Sequence, residues 1–362
     1  VKIPRPLGPG PIRAALVGCG NIGAVHQAAL GELAGVELVA LCDNDAARLA
    51  AARRSAASSA RPGEGAAGFA DFAELLAVTR PDSVHICTPH HLHAPMAAAA
   101  LAAGARVLME KPLAMDLAEG EALVRAWEES GLQAGLCFQN RYRPSVIAAK
   151  KLLEEGRYGR LLGIRATVAW HRDASYYASA PWRGRWATEG GGVLINQAIH
   201  TIDLVQWLGG GCLSSRAAGG NLTLGGVIEV EDSAIIAMEL EGGARAMVFA
   251  TNGHVEDAPV EIEIICEEAR LRLVNDLVVY KRTQARAGLP PVEAPGESLA
   301  RDEASPLDAC RAYWGSGHAP LFRDFYACLR EGRAFGLDLR AGLASLAILD
   351  RAYAQLGRPA RA

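Results

Sequence analysis

Apolar and polar positions repeat with two different rhythms along this chain, and the change falls near Arg141. Before it, short continuous apolar runs alternate with longer segments whose apolar positions recur every three or four residues. The short runs read as buried strands and the longer ones as amphipathic helices. Strands are predicted at residues 12–17, 36–42, 83–87, 106–109 and 133–138. Helices are predicted at 22–33, 45–52, 69–78, 92–103 and 117–130, with a small, polar surface loop at 58–68. Such strand and helix alternation predicts a doubly wound parallel sheet.

After Arg141 a helix (144–155) leads to a long strand-like run (161–170), an aromatic-rich loop and a second helix (193–208). Period-two segments follow at 230–240, 244–250, 260–266, 270–274 and 277–281. Gly242-Gly243 between the first two is a hairpin signal, so this half is expected to hold a largely antiparallel sheet. Residues 284–306, rich in Pro, Ala and charge, read as a loop, and helices at 319–330 and 338–355 end the pattern. No internal repeat is visible. The expected division is 11–139 and 140–362, with the last helices free to pack back on the first domain.

Composition narrows the class. The 362 residues are 50% hydrophobic and 21% charged, a globular balance with length for about two domains. A net charge of −3 without a basic block argues against nucleic acid, and no run approaches a membrane span. The opening, residues 1–11, is rich in Pro and Gly and reads as a lead-in rather than a secretory signal. The eight cysteines form no Cys-x-x-Cys pair, which leads to the expectation of a reduced, cytoplasmic protein without structural zinc.

The chemistry starts at Gly18-x-Gly20-x-x-Gly23, between a predicted strand and a predicted helix that opens with Asn21 and Ile22. In that context Gly18 permits the turn, Gly20 lets backbone approach a pyrophosphate, and Gly23 lets helix and strand pack closely. Asp43, about 20 residues past Gly23, is placed to bind an adenosine ribose, or to cap the next helix, or both. Its carboxylate would repel a 2′-phosphate, so NAD is favoured over NADP, a preference that Arg48, Arg53 and Arg54 soften. Two further runs, Cys87 to His93 and Met109 to Ala114, follow strands and sit where open α/β sheets bind ligands. Thr88, Pro89, His93, Glu110 and Lys111 are therefore cofactor-side candidates. Lys111 is also the catalytic candidate, able to polarise a hydroxyl or carbonyl oxygen; its alternative is a solvated loop lysine. His91 and His93 lack a spaced partner, so no metal centre is expected.

In the second half, Gly190-Gly191-Gly192 enters the helix predicted to carry Asn196, His200 and Asp203 at i, i+4 and i+7, on one face. Polar groups on so apolar a helix are expected to line a cleft, or to form a structural His-Asp bond. His200 is the residue type that moves protons near neutral pH. Trp182 and Arg183 offer an aromatic wall and a donor for sugar hydroxyls, or plain packing. Asn140, Arg141 and Tyr142 are placed to touch ligand, with Arg141 equally a salt-bridge partner. His318 reads either as a helix-cap residue or as a substrate contact.

The glycine fingerprint, Glu110-Lys111-Pro112, and the run from Gly190 to His200 and Asp203 together resemble the glucose-fructose oxidoreductase, inositol dehydrogenase and rhizopine-catabolism (Gfo/Idh/MocA) family over nearly the whole chain. The resemblance implies an N-terminal Rossmann domain and a C-terminal α/β domain with an open, mainly antiparallel sheet. It also implies NAD(P)-dependent oxidation or reduction of a sugar or cyclitol, and a homodimer or homotetramer joined through that sheet. Inositol dehydrogenase-like members carry aspartate four residues before the catalytic histidine, where this chain has Asn196. An amide orients a hydroxyl but does not relay a proton, which weakens a myo-inositol assignment. The expected reaction sends a carbinol hydrogen to nicotinamide and the hydroxyl proton to His200, with Lys111 polarising the oxygen, the two able to exchange roles. The alternatives are a glycoside-cleaving enzyme with transient oxidation by NAD and a non-catalytic dinucleotide sensor.

Overall fold

The computed structural model describes residues 6–59, 65–282, 296–302 and 317–359. The chain forms two compact units: Val1–Phe138 with His318–Leu346, and Gln139–Gly317 with Ala347–Ala362.

Six parallel strands build the first unit: β1 (Ile12–Val17), β2 (Val36–Cys42), β3 (Ala67–Phe69), β4 (Ser83–Ile86), β5 (Arg106–Met109) and β6 (Ala134–Leu136). Their order is β3-β2-β1-β4-β5-β6, the doubly wound arrangement that places its switch point between β1 and β4. The strands are near-continuous apolar runs because both faces are covered: Ala14, Ala15, Leu16, Val84, Ile86, Val107 and Leu108 are fully buried. Helices α1 (Asn21–Gly31), α2 (Ala46–Ser59), α3 (Phe72–Thr79), α4 (His90–Ala102) and α5 (Leu117–Ser130) connect them. Asp71 and Asp116 cap α3 and α5 by accepting from Glu74 N–H and Glu119 N–H, each at 2.8 Å. Two differences from the sequence pattern are physical. Helix α2 runs past residue 52 through Arg and Ser positions that hold a helix without an apolar period. Strand β3 is three residues whose place comes from pairing with β2, Phe69 opposite Cys42.

The second unit is an eight-stranded sheet. Its strands are β7 (Leu161–Ala169), β8 (Cys212–Gly220), β9 (Ser233–Leu240), β10 (Arg245–Thr251), β11 (Glu261–Cys266), β12 (Ala269–Leu273), β13 (Asp276–Lys281) and β14 (Glu297–Arg301). The order is β14-β13-β12-β11-β7-β10-β9-β8, with β7 and β10 parallel and every other pair antiparallel. Helices α6 (Pro144–Glu154), α7 (Ala174–Ala178), α8 (Val193–Asn196) and α9 (Ile199–Leu208) accompany it; α10 (His318–Glu331) belongs to the first unit, and α11 (Leu339–Gln355) starts in the first and ends in the second. Strand β8 escapes the pattern because its Ser, Ala and Gly residues give no apolar alternation. Strand β14 occupies part of the predicted loop, whose remainder, 284–295 and 303–306, lies outside the described residues. The predicted helix 193–208 is two helices, broken at Gln197 and Ala198.

No helix among the described residues is long and apolar enough to cross a membrane. Cys19, Cys42, Cys87, Cys137, Cys212, Cys266 and Cys328 are free thiols, and Cys310 lies outside the described residues.

The glycine fingerprint is explained by space. Gly18 has φ +90° and its added Cβ would stand 2.4 Å from the Cys87 carbonyl oxygen; one on Gly23 would stand 2.0 Å from the Gly18 carbonyl oxygen. A Cβ on Gly20 meets nothing within 4 Å. Gly23→Ala is therefore expected to lower stability by about 2 kcal/mol or more, while Gly20→Ala melts within about 0.5 kcal/mol of the parent chain. Equal melting of the two variants in a thermal scan would overturn this account of the turn.

Candidate active site

In the first unit the turn between β1 and α1 is pinned by Asp43 at the end of β2. Cys19 N–H donates to its Oδ2 and Asp45 N–H to its Oδ1, both at 2.8 Å. Asp43 is 9% exposed and also meets Arg48 Nε at 3.4 Å. The cap of α2 is not Asp43 but Asp45, whose Oδ1 accepts from Ala47 N–H and Arg48 N–H. Arg48 thus faces two carboxylates, so the local charge stays negative where a 2′-phosphate would sit.

A dinucleotide fits the groups present. Helix α1 begins on Gly20 with no capping side chain, leaving its first N–H groups aimed at the open space over that glycine. Asp43 keeps lone pairs for ribose hydroxyls beyond the two backbone bonds. Past β4, the Thr88 hydroxyl oxygen is buried with no hydrogen-bond partner among the described residues, an orphan that a bound ligand would satisfy. Pro89 is the N-cap of α4. His93 is committed elsewhere: its ring nitrogens lie 2.8 Å from the Thr88 carbonyl and 2.7 Å from the Pro112 carbonyl, so it ties the two ligand-side loops together.

Glu110 and Lys111 follow β5. Lys111 is half-buried, and its backbone N–H approaches Glu110 Oε2 at 3.3 Å. Burial alone would raise the Glu110 carboxyl; hydrogen bonds from His26 Nε2 (3.1 Å) and His318 Nε2 (3.3 Å) hold it well below the usual carboxylate range. His318, the first residue of α10 and 4% exposed, is thus a buried partner of Glu110. The sequence pattern points to neither His26 nor His85 because single histidines inside apolar runs read as core. His26, Glu110 and Cys137 bring a nitrogen, an oxygen and a sulfur within 4.8 Å of one another, a ligand-type group that no local spacing announces.

In the second unit the three-glycine turn is pinned by Glu231. Gly192 N–H (2.9 Å), Leu194 N–H (3.0 Å) and the Tyr353 hydroxyl (3.1 Å) all donate to its carboxylate, and Ile195 N–H donates to Tyr353 Oη. Glycine is required there: a Cβ on Gly191 would stand 2.0 Å from Tyr353 Oη, and one on Gly192 1.8 Å from the Glu231 carbonyl oxygen. The turn delivers α8, whose last residue, Asn196, donates from Nδ2 to Glu189 Oε1; Gly184 N–H donates to Oε2 of the same buried carboxylate.

His200 is the second residue of α9 and is half-buried. The helix is interrupted at Gln197 and Ala198, between Asn196 and the α9 residues His200 and Asp203. Asp203, 1% exposed, takes a fork of two bonds from Arg141, Nε to Oδ2 at 2.8 Å and Nη2 to Oδ1 at 2.5 Å. Asp203 is thus a buried ion-pair partner of Arg141, with Gln206 Nε2 donating to Oδ1 as well.

Asn140 and Tyr142 are half-buried in the 3-10 turn Gln139–Tyr142. Arg183 lies between the rings of Tyr176 (4.3 Å) and Trp182 (4.7 Å) and donates to the Tyr176 hydroxyl. Gln197 Nε2 donates to the same hydroxyl at 3.1 Å, which fastens this loop to the α8–α9 junction.

Residues 12–138 match the NAD-binding Rossmann fold of the GFO_IDH_MocA oxidoreductase family, and residues 146–272 match the GFO/IDH/MocA C-terminal domain. Levoglucosan dehydrogenase of Pseudarthrobacter phenanthrenivorans is 29% identical over 75% of this chain and 77% of its own. D-apiose dehydrogenase of Paraburkholderia graminis is 27% identical over 94% and 86%. The WlbA dehydrogenase from Bordetella pertussis, solved in complex with NADH and UDP-GlcNAcA, superposes with a TM-score of 0.82 at 29% identity over 97% of each chain.

Burial pushes the Glu231 carboxyl up to about 7, against the N–H groups of Leu194 and Gly192 and the Tyr353 hydroxyl, which pull it down. Between the ordinary 4.5 and about 7 the folded chain holds a proton that the unfolded chain has released. The stabilisation tied to that proton is complete below 4.5 and is lost as pH rises through about 7. The melting temperature of the parent chain relative to Glu231→Gln is accordingly expected to decline across that window. Paired melts showing a constant difference would sink this reading of Glu231.

Proposed function

The chain belongs to the Gfo/Idh/MocA family of oxidoreductases, and from that membership we propose how its own residues carry the reaction. It is an NAD-dependent oxidoreductase that moves a hydride between nicotinamide and a carbinol carbon of a sugar, sugar derivative or cyclitol. The turn from Gly18 to Gly23, with Asn21 and Ile22 at the start of α1, holds the pyrophosphate, and Asp43 takes the adenosine ribose. Thr88, Pro89, Glu110 and Lys111 face the nicotinamide end. When bound, the dinucleotide supplies the hydride-accepting carbon, which is its own chemistry.

The protein's part is proton handling and orientation. His200 accepts the substrate hydroxyl proton, and the Lys111 ammonium polarises that oxygen as negative charge develops on it. Asn196, whose nitrogen donates to Glu189, orients a substrate hydroxyl. Trp182, held against Arg183, gives a sugar ring an apolar wall, and Asn140 and Tyr142 supply further polar contacts. The observation that most supports the reading is the pairing of an uncapped helix start over Gly20 with a lysine at the carboxyl end of β5 in the same sheet. We place the enzyme in the cytoplasm, beside the NAD pool.

Initial rates with NAD and NADP across inositols, aldoses, sugar acids and glycosides are expected to show reduction of NAD by one substrate class. Lys111→Met is expected to cut kcat by about 10³-fold with NAD affinity within about threefold, whereas Gly20→Ala weakens NAD binding without loss of fold. Unchanged turnover in Lys111→Met would remove that residue from the mechanism. Silence across the panel, with NAD still bound, would favour a keto-sugar reductase or a glycoside-cleaving cycle.

We also propose a homodimer or homotetramer joined through the outward face of the eight-stranded sheet. Ile235 and Phe249 stand opposite each other on that face, and with Met247 they leave 37–40% of their surfaces exposed, an apolar strip that a second copy would cover. Light scattering is expected to give a multiple of the chain mass, and Phe249→Glu a smaller species. A parent chain that runs as a monomer at micromolar concentration would exclude the assembly.

A further inference from the structure

Three arginines stand in the segment 170–189 of the second unit, and two of them are matched by carboxylates. Arg172 Nη1 meets Asp257 Oδ1 at 2.7 Å, and Arg185 Nη1 meets Glu229 Oε1 at 3.3 Å. Arg183, half-buried, forms an ion pair with no carboxylate among the described residues. Its guanidinium lies over the rings of Tyr176 (4.3 Å) and Trp182 (4.7 Å), and Nη1 donates to the Tyr176 hydroxyl. Its Nε is buried with no hydrogen-bond partner among the described residues. Aromatic faces attract the charge but take no pair of N–H bonds. A cation largely withdrawn from water, with a donor unmet, is costly unless an acceptor is brought to it. The edge left over once Nη1 is spent, Nε with Nη2, is the one that holds both oxygens of a carboxylate side by side.

Arg183 is tied to α8 and α9 from two sides. Tyr176 Oη also accepts from Gln197 Nε2 at 3.1 Å, and Gln197 stands between Asn196 and His200 at the junction of the two helices. Gly184, the next residue after Arg183, donates from its N–H to Glu189, whose other oxygen takes Asn196 Nδ2. Tyr176 is itself set by Asp173, which accepts from its N–H at 3.0 Å. The groups that hold the guanidinium are therefore those that hold Asn196 and the start of α9.

We propose that Arg183 is a specificity residue whose partner is a carboxylate of the substrate, so that the sugar oxidised is a sugar acid. The inference rests on the dehydrogenase reading above and names the substrate class for it. A neutral sugar leaves the cation unmatched, since a hydroxyl brings no charge. A phosphate dianion asks for more positive charge than one guanidinium carries, and Arg172 and Arg185 are already paired. Asp173 and Glu189, the two acids of the segment, are held by backbone and amide donors, and neither pairs with Arg183. The carboxylate is not the reacting group. Hydride and hydroxyl proton still leave a carbinol carbon, and the acid end decides which carbon is presented.

The test compares matched sugars: D-glucose with D-glucuronate, D-galactose with D-galacturonate and D-mannose with D-mannuronate, each beside the corresponding sugar 6-phosphate. Two readouts are taken, kcat/KM with NAD and calorimetric binding to enzyme saturated with NADH, where no turnover is needed. One acid is expected to exceed its neutral partner by about 30-fold in both, and its phosphate to fall below the acid. Arg183→Gln is expected to bring the acid-to-neutral ratio close to one, and Arg183→Lys, which keeps the charge without the fork, to fall between. An arginine that only holds the loop together would, on removal, weaken both sugars alike and leave the ratio standing. An unchanged ratio in the variants therefore overturns the proposal, as does a ratio near one in the parent chain, a preference for the phosphate, or binding of no acid. If Arg183→Gln does not fold, the parent ratio and Arg183→Lys decide. An acid that binds tightly and is never oxidised would leave the carboxylate site in place and sink the dehydrogenase reading instead.

Discussion

Each unit of this protein contains a glycine-rich turn that a buried carboxylate holds by the backbone. Close approach is what forces glycine, and the N–H groups exposed by that approach are what force the carboxylate. Asp43 takes the Cys19 N–H at the first turn, and Glu231 takes those of Gly192 and Leu194 at the second. Remove either acceptor and buried donors are stranded at a cost of about 1–3 kcal/mol each. The positions of α1 and α8 then loosen.

The same residue type does different electrostatic work according to its donors. Glu110 and Glu231 are both buried, yet one is held well below the ordinary range and the other is pushed up to about 7. Glu110 collects hydrogen bonds from the His26 and His318 imidazoles, and His26 in turn lies against His85. Glu231 collects two amides and a phenol, enough to orient the turn but not to offset its desolvation fully. Burial sets the cost of a charge and the donor set decides whether it is met. This is why neither carboxylate's behaviour is readable from its place in the chain.

What is legible in the sequence follows from that distinction. Strands β1, β2 and β5 and helix α5 are where apolar periodicity places them, because their burial is decided by their own side chains. Strands β3 and β8 are invisible to it, being short or small-residue segments whose identity comes from the neighbour they pair with. The helix break at Gln197 and Ala198 is likewise hidden. Gln197 is drawn to Tyr176 and Asn252, partners 21 and 55 residues away, and helical spacing says nothing of them. The Asp203–Arg141 ion pair, 62 residues apart in the chain, is hidden in the same way. At the candidate site, Lys111 and His200 stand out by residue type and position, whereas Glu189, Glu231, His26 and Tyr353 require tertiary contacts to be seen at all.

The amide at position 196 illustrates how one neighbour restricts another. Glu189 is buried, and its two oxygens already take Gly184 N–H and Asn196 Nδ2. A carboxylate at 196 would set two like charges within hydrogen-bond distance in a poorly solvated place, and one of them would have to take up a proton to remain. The amide avoids that conflict by offering the donor that Glu189 needs. Asparagine here is thus the side chain that the Glu189 charge allows, and not merely a relay aspartate lost. Proton transfer in such a site falls to groups outside the Glu189–Asn196 pair, in keeping with the roles proposed above for His200 and Lys111.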